Sequence, residues 1–440
     1  MTAPAAMRLA TVEYEGFWWE DPVRLMLYFI LPLYALIALD LLGGQKAIER
    51  VYFDSFLAFA GALFLGVLAS MACAQRVLAP PAPRAPAPPV VLPVAVLDAV
   101  FWLAFVGYLV MMGGVISRPA VLLSFFTGDA STYDVLELKG RIAGISTLTQ
   151  ATVAYVPLYF HIFRKPVRGI DRYKIYLAVL GVLTLLRSFI FAERLAMLEV
   201  ALPFALMYIR FRPMPRRSLL LTLGPYAAIL PMIGFFIANE YNRSWETYYV
   251  NLYDNIFDFA IERLAMYYST ALNNGAGLVS IMGWGVGDPV FTLDWLLKFP
   301  VLGEFVQPLM RGSDGYNLFL SGFGDPEFNN PSGIFVHFYE WGWFALPLAA
   351  VYGWTLGRSY AGWRAGHGFW CCAHAVLLVS LLEILRVPNL FSGRNFVPLA
   401  LLWLVFQCLG KPAVRSPVPT SPPLHAARAG PYPVPKKDAA

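Results

Sequence analysis

The sequence predicts an all-α polytopic membrane protein, with about ten transmembrane helices and one large extracytoplasmic loop. Three observations carry that expectation. The chain is 58% hydrophobic and only 14% charged, whereas roughly a quarter of the residues of a soluble domain are charged. Apolar runs near the ~20 residues that span a bilayer recur from end to end. Lys and Arg gather in the short loops of one side.

The apolar runs fall at 25–43, 55–73, 94–117, 143–163, 175–190, 194–209, 218–238, 333–357, 368–386 and 395–410. An even number of crossings returns the chain to the side from which it starts. The loops RKPVRGIDRYK (Arg164–Lys174) and RFRPMPRR (Arg210–Arg217) are strongly basic, and Arg358, Arg364, Lys411, Arg415, Lys436 and Lys437 fall on the same side. Basic short loops stay in the cytoplasm, so both termini are expected there. This divides the chain into an N-terminal segment (1–24), a transmembrane domain (25–410) containing the extracytoplasmic loop (239–332), and a Pro-rich, disordered tail (411–440). Such sidedness accounts for the net charge of +5 and calls for no nucleic acid.

The opening MTAPAAMRLATVEYEGFWWEDP lacks the basic start and short apolar core of a cleaved signal peptide. Cys73, Cys371, Cys372 and Cys408 all fall in expected helices. They read as membrane-buried small apolar residues, with neither a disulfide framework nor a zinc spacing. Pro80–Pro89 (PPAPRAPAPP) reads as an extended connector. No internal repeat or inverted pair of broken helices is visible, which counts against a secondary transporter.

The loop from Ala238 to about Ser332 far exceeds the ~12–15 residues of an ordinary connection, and it is too aromatic to be disordered. Eleven Asp and Glu in it outnumber four Lys and Arg. YDNIFDFAIERLAMYYSTAL reads as a helix, and FTLDWLLKFPVLGEFVQPL as amphipathic segments along a membrane surface. One reading makes the loop a cap over helix ends; the other makes it a lid and groove. Lys139, Arg141, Arg243 and Arg263 are cations on the side where sidedness disfavours them.

Helices 175–190 and 194–209 lie between two basic loops, so this stretch crosses and returns. About 16 residues per arm reach ~24 Å, against a hydrocarbon core of ~30 Å. The tip RSFIFAER is therefore expected below the outer surface, carrying Arg187, Glu193 and Arg194 into the membrane. A second tip, EILRVPNLFSGRN, carries Glu383, Arg386 and Arg394. Charges at such depth cost several kcal/mol unless they pair or face a polar cavity. Paired, they close helix ends. Facing a cavity, several arginines suit a pyrophosphate, because guanidinium binds phosphate oxygens bidentately.

The stretch NNPSGIFVHFYEWGWFALPL (Asn329–Leu348) raises a further question. Asn330 and Pro331 read as a helix start, and His337 and Glu340, three residues apart, share one face. They are either a base and its orienting partner or polar glue satisfied by each other or by a tyrosine. Trp341 and Trp343 read as packing or interface anchors. No Walker loop, His-Glu-x-x-His, Gly-x-Ser-x-Gly or Asp-x-Asp is present. A donor bound without metal needs protein cations to stabilise its leaving group.

The hairpin bearing Arg194 in FAERLAMLEVALPF, the large loop and NPSGIFVHFYEWGW (Asn330–Trp343) together resemble the Wzy-type O-antigen polymerases, the oligosaccharide repeat unit polymerases of bacterial surface polysaccharides. The topological likeness spans roughly residues 20–410, and the motif likeness is confined to those two patches. Arg311 and Gly322 match an Arg-x10-Gly pattern of some members. The resemblance implies a GT-C-like glycosyltransferase of the bacterial inner (cytoplasmic) membrane, independent of metal and of cofactors. Such an enzyme transfers a glycan from undecaprenyl pyrophosphate to the next lipid-linked repeat unit at the periplasmic face. Its expected partners are undecaprenyl-pyrophosphate-linked oligosaccharides, with a chain-length-regulating membrane protein and a flippase as candidates. Arg194 and the Asn330–Trp343 patch carry over from the family. Within that patch His337 and Glu340 are expected to be catalytic and Asn330 to contact substrate. The remaining assignments rest on topology, with Arg187, Arg243, Arg263 and Arg394 beside Arg194 on the pyrophosphate and Lys139 and Arg141 on substrate. An O-antigen ligase uses the same donor, but is pictured with a loop histidine as base. The long loop here has none, which favours the polymerase. A transporter of lipid-linked sugars is the third reading.

Overall fold

The computed structural model describes residues 16–46, 48–78, 90–127, 135–140, 142, 144–164, 169, 171–212, 218–241, 245, 249–297, 299, 302–306, 308, 310, 315–325, 327–366 and 368–412. The first fifteen residues, Pro80–Pro89, the tail beyond 412, and Arg141, Arg243 and Arg311 lie outside them. The chain is helical over 76% of its described length. Among the described residues the strands are Val90–Val91 and Lys411–Pro412, which pair antiparallel.

In chain order the longer helices among the described residues are Pro22–Ala38 (α1), Ser55–Leu78 (α2), Ala95–Ile116 (α3), Pro119–Thr127 (α4) and Ala151–Ile162 (α5). Arg172–Ile190 (α6), Arg194–Phe211 (α7), Gly224–Glu240 (α8) and Ile256–Gly277 (α9) follow. The last are Gly315–Gly322 (α10), Phe335–Trp341 (α11), Ala345–Ala365 (α12), Gly368–Leu382 (α13) and Gly393–Leu409 (α14). Three of them, α2, α3 and α6, are long and apolar enough to cross a membrane, and α1, α13 and α14 are shorter apolar helices. Apolar side chains such as Phe59, Trp102, Leu103 and Trp403 cover the outside of the bundle, which is compatible with a membrane protein.

The core sits where helices are apolar all round. Every residue of α5 from Ala151 to His161 and of α13 from Cys371 to Leu381 is buried, as expected for a helix without a polar face. Cys371 and Cys372 lie there as small apolar residues, and none of the four cysteines is bridged. Helix α12 packs on α13 of this core, and α2 and α12 pack on each other more extensively than any other pair of helices. Gly353 and Gly357, one turn apart, make that approach possible: a Cβ on either meets the carbonyl oxygen of Leu68 or of Ala72.

Side-chain caps set several helix starts. Asp171 accepts from the N–H groups of Tyr173 (3.0 Å) and Lys174 (2.9 Å) at α6, and Asn255 does the same at α9. Because Asp171 caps so early, α6 absorbs part of the basic loop. The two arms of the hairpin are then 19 and 18 residues long, about 28 Å each. They are longer than the ~24 Å arms expected from the sequence.

One expectation is met in a form the sequence did not show, and one is corrected. The helix expected in the loop forms as α9, and its second half enters the bundle: Ser269 to Gly277 is buried. Asn273 accepts from the N–H groups of Tyr52 (2.6 Å) and Phe53 (3.2 Å), and Asn274 donates to Phe328 O (2.9 Å). The long loop is thus riveted into the bundle. The helix expected to start at Pro331 starts at Phe335 instead, and it breaks at Gly342, where φ is 56°. The break has a cause. Gly285 N–H donates to Phe338 O (3.1 Å), and those of Val286 and Gly287 donate to Tyr339 O (3.0 and 3.1 Å). Phe338 O still accepts from Gly342 N–H, whereas loop backbone takes the Tyr339 carbonyl that a continuous helix would use for itself.

Candidate functional site

Two inter-helix turns and the end of the long loop converge at one end of the bundle. The α6–α7 turn is only three residues, and Ala192 takes a left-handed φ of 50° to make it, a conformation that costs about 1 kcal/mol outside glycine. Glu193 follows and acts as a hub. Its carboxylate accepts from Lys139, from Nε (2.8 Å) and Nη2 on one edge of Arg187 and from Arg394 (3.3 Å). Burial by itself raises its pKa, but Arg187, Arg394 and Lys139 outweigh that and hold it at about 2. Arg187 also donates to Thr149 Oγ1 (2.9 Å), which ties the tip to the start of α5.

Arg194 opens α7. It donates to the buried Glu240 and to Tyr267 Oη (2.6 Å), and lies 4.4 Å from the ring centre of Phe236 and 4.9 Å from that of Tyr267. Glu240 also pairs with Arg263, whose Nε is 2.9 Å away. Arg263 in turn donates to Glu327 (2.6 Å), which accepts from Tyr249 as well (2.8 Å). Burial lowers the pKa of Arg263, but Glu240 and Glu327 outweigh it and raise it. The second turn, between α13 and α14, brings Arg386, paired with Glu383 at 2.9 Å, and Arg394, which donates to Glu199 (3.4 Å) as well as to Glu193.

These groups enclose a cleft of about 500 Å³. From the two turns it takes Arg194, Arg386, Arg394, Glu193 and Asn389; from α9 Tyr267; from the long loop Phe291, Asp294, Glu327, Asn329 and Asn330. Three arginines face three carboxylates, so the cleft is charge-balanced rather than net cationic. The balance fits its burial, because an arginine without a counter-charge there costs several kcal/mol. Among the described residues no three His, Cys, Asp or Glu side chains are grouped to hold a metal ion.

His337 and Glu340 lie elsewhere. Both side chains are fully buried, 3.9 Å apart. Glu340 accepts from the N–H groups of Phe291 (2.5 Å) and Thr292 (3.2 Å) and from the Thr292 hydroxyl (2.5 Å). His337 meets Thr292 Oγ1 through Nδ1 (3.2 Å) and Tyr352 Oη through Nε2 (3.1 Å). It lines a separate cavity of about 10 Å³. Val387, Pro388 and Asn389 line both cavities and form the partition between them.

Of the residues expected from the sequence, the structure brings Arg194, Arg394 and Asn330 together in the cleft. Arg187 and Lys139 stand behind Glu193, and Arg263 stands behind Glu240 and Glu327. His337 and Glu340 are outside the cleft, and Arg141 and Arg243 are outside the described residues. Arg386, Asp294, Glu327, Tyr267 and Asn389 were not singled out for the site. A signal existed for Arg386, which lies in the same charged tip as Arg394. No family model, curated protein or solved structure matches the chain.

Proposed function

We propose that this chain polymerises a bacterial surface polysaccharide, O-antigen or exopolysaccharide. It transfers a glycan from undecaprenyl pyrophosphate to the next lipid-linked repeat unit at the periplasmic face of the inner membrane. The observation that supports this reading is the convergence of Arg194, Arg386 and Arg394 on one cleft, beside the amides of Asn329, Asn330 and Asn389. In this reading the chain crosses the membrane about ten times in a GT-C-like arrangement, with both termini in the cytoplasm.

The guanidiniums bind diphosphate oxygens as forked donors. When the bond from the sugar C1 to the diphosphate oxygen breaks, the electron pair stays with the departing undecaprenyl diphosphate. Arginines already oriented by Glu193, Glu199, Glu240 and Glu383 stabilise that charge without reorganising. The acceptor hydroxyl oxygen forms the new bond to C1 and gives its proton to a carboxylate. Of the three carboxylates that line the cleft, Glu327 is the exposed one, with 43% of its side chain accessible. A flippase that delivers the lipid-linked unit and a membrane protein that regulates chain length are the partners this reading calls for.

Deleting the gene tests it, with the surface polysaccharide resolved by gel and the lipid-linked pool extracted alongside. Single repeat units with the long ladder gone are the expected result. Full-length glycan stranded on the lipid carrier would make the chain a ligase and overturn the proposal.

A further inference from the structure

We infer that Glu340 is a positioning residue. Its carboxylate, backed by His337, holds the loop segment Phe291–Asp294 in place as the wall of the cleft against which the acceptor glycan is oriented. The inference rests on the glycosyl-transfer reading of the cleft, and it gives His337 and Glu340 a task other than proton transfer.

A general base must touch the hydroxyl it deprotonates, and the Glu340 side chain has no accessible surface. Its oxygens are turned to two consecutive residues of the long loop, where they accept from two backbone N–H groups and one hydroxyl. The Thr292 hydroxyl donates to Glu340 and accepts from Trp341 Nε1 (3.0 Å). With its proton on Nδ1, His337 also donates to Thr292 Oγ1, and its Nε2 accepts from Tyr352 Oη. Tyr352, His337, Thr292 and Glu340 then form one hydrogen-bonded chain in which each donor meets an acceptor. This chain ties α12 and α11 to the loop.

The far end of the same segment is fixed independently. Asp294 accepts from Gly393 N–H (2.9 Å), one residue before Arg394, and Trp295 stacks on Phe396 with ring centres 4.1 Å apart. The segment is therefore a strut between α11 and the first turn of α14. Phe291 and Asp294 face the cleft between its two fastenings. Loosening the Glu340 end moves the wall relative to Arg394 while leaving the arginines paired.

The test uses purified full-length protein and lipid-linked repeat units at varied acceptor concentration. Glu340→Gln keeps an oxygen for the two N–H groups. Its amide can donate to the Thr292 hydroxyl once that hydroxyl turns its proton to His337 Nδ1 and His337 carries its own on Nε2 toward Tyr352. With this variant kcat therefore stays within about threefold of the starting protein. Glu340→Ala raises the acceptor KM about tenfold with little change in kcat, and the milder Thr292→Val moves KM in the same direction. Turnover abolished by Glu340→Gln at unchanged KM would make Glu340 the base and overturn the inference. A second readout needs no turnover: labelling of Phe291→Cys by a membrane-impermeant maleimide, with Cys73 and Cys408 replaced by alanine. Adding Glu340→Ala is expected to speed this labelling, and an unchanged rate overturns the inference. If the protein forms no glycosidic bond at all, the reading of the cleft fails while the labelling still decides whether Glu340 holds the wall.

Discussion

Glu193 is the residue on which the geometry of the cleft turns, because Lys139, Arg187 and Arg394 share its carboxylate. Its carboxyl is held at about 2 against an ordinary 4.5. A carboxyl lowered on folding contributes stability above its unfolded value and loses it as pH falls through the folded one. The Tm advantage of the native protein over Glu193→Gln in detergent is therefore expected to be constant from neutral pH down to about 4.5, and to shrink below that. An advantage that instead fades between pH 8 and 6 would show that Glu193 is not ionised in the hub. The charged tips were legible in the sequence, because Arg194 and Arg394 sit beside short helices where lone charges are costly. Asp294 and Glu327 were not. They reach the cleft from a loop whose path depends on the Asn273, Asn274 and Glu340 fastenings, and a list of residues does not reveal those.

At the level of elements, helix existence was legible from apolar runs, and the ends were set by features of a different kind. Asp171 moved the start of α6 into a basic loop, and loop backbone bonding to Tyr339, with Gly342 at a positive φ, broke a 25-residue apolar run into α11 and α12. The second case is tertiary structure overriding a local pattern. It also explains the placement of an imidazole and a carboxylate in the first of those helices: they face the loop that breaks it, not lipid. The α2–α12 contact makes a sharp prediction. Gly353→Leu drives a side chain into the Leu68 carbonyl, and overpacking of a close helix contact costs about 1–3 kcal/mol or more. Loss of the monodisperse peak in size-exclusion chromatography is expected. A Gly353→Leu protein that elutes and melts as the parent does would mean the two helices are not held at this distance.

Across the whole molecule, the apolar exterior and the polar cleft at one end of the bundle divide the work. The bundle fixes two turns at a common depth, and the loop closes the third side. Two cations of the cleft are held by carboxylates from other elements, Arg194 by Glu240 of α8 and Arg394 by Glu193 and by Glu199 of α7, while Arg386 is held by Glu383 of its own turn. The site is thus a property of the assembled bundle, and no single segment could have displayed it. Removing Arg194 leaves Glu240 paired with Arg263, so Arg194→Ala is a variant that keeps the fold and alters the cleft. The most direct measurement incubates purified protein with undecaprenyl-pyrophosphate-linked repeat units and resolves the products by gel. The account predicts a ladder of glycans on lipid with the native protein and none with Arg194→Ala at equal folded abundance. The absence of any new glycosidic bond with the native protein, or an undiminished ladder with Arg194→Ala, would contradict it.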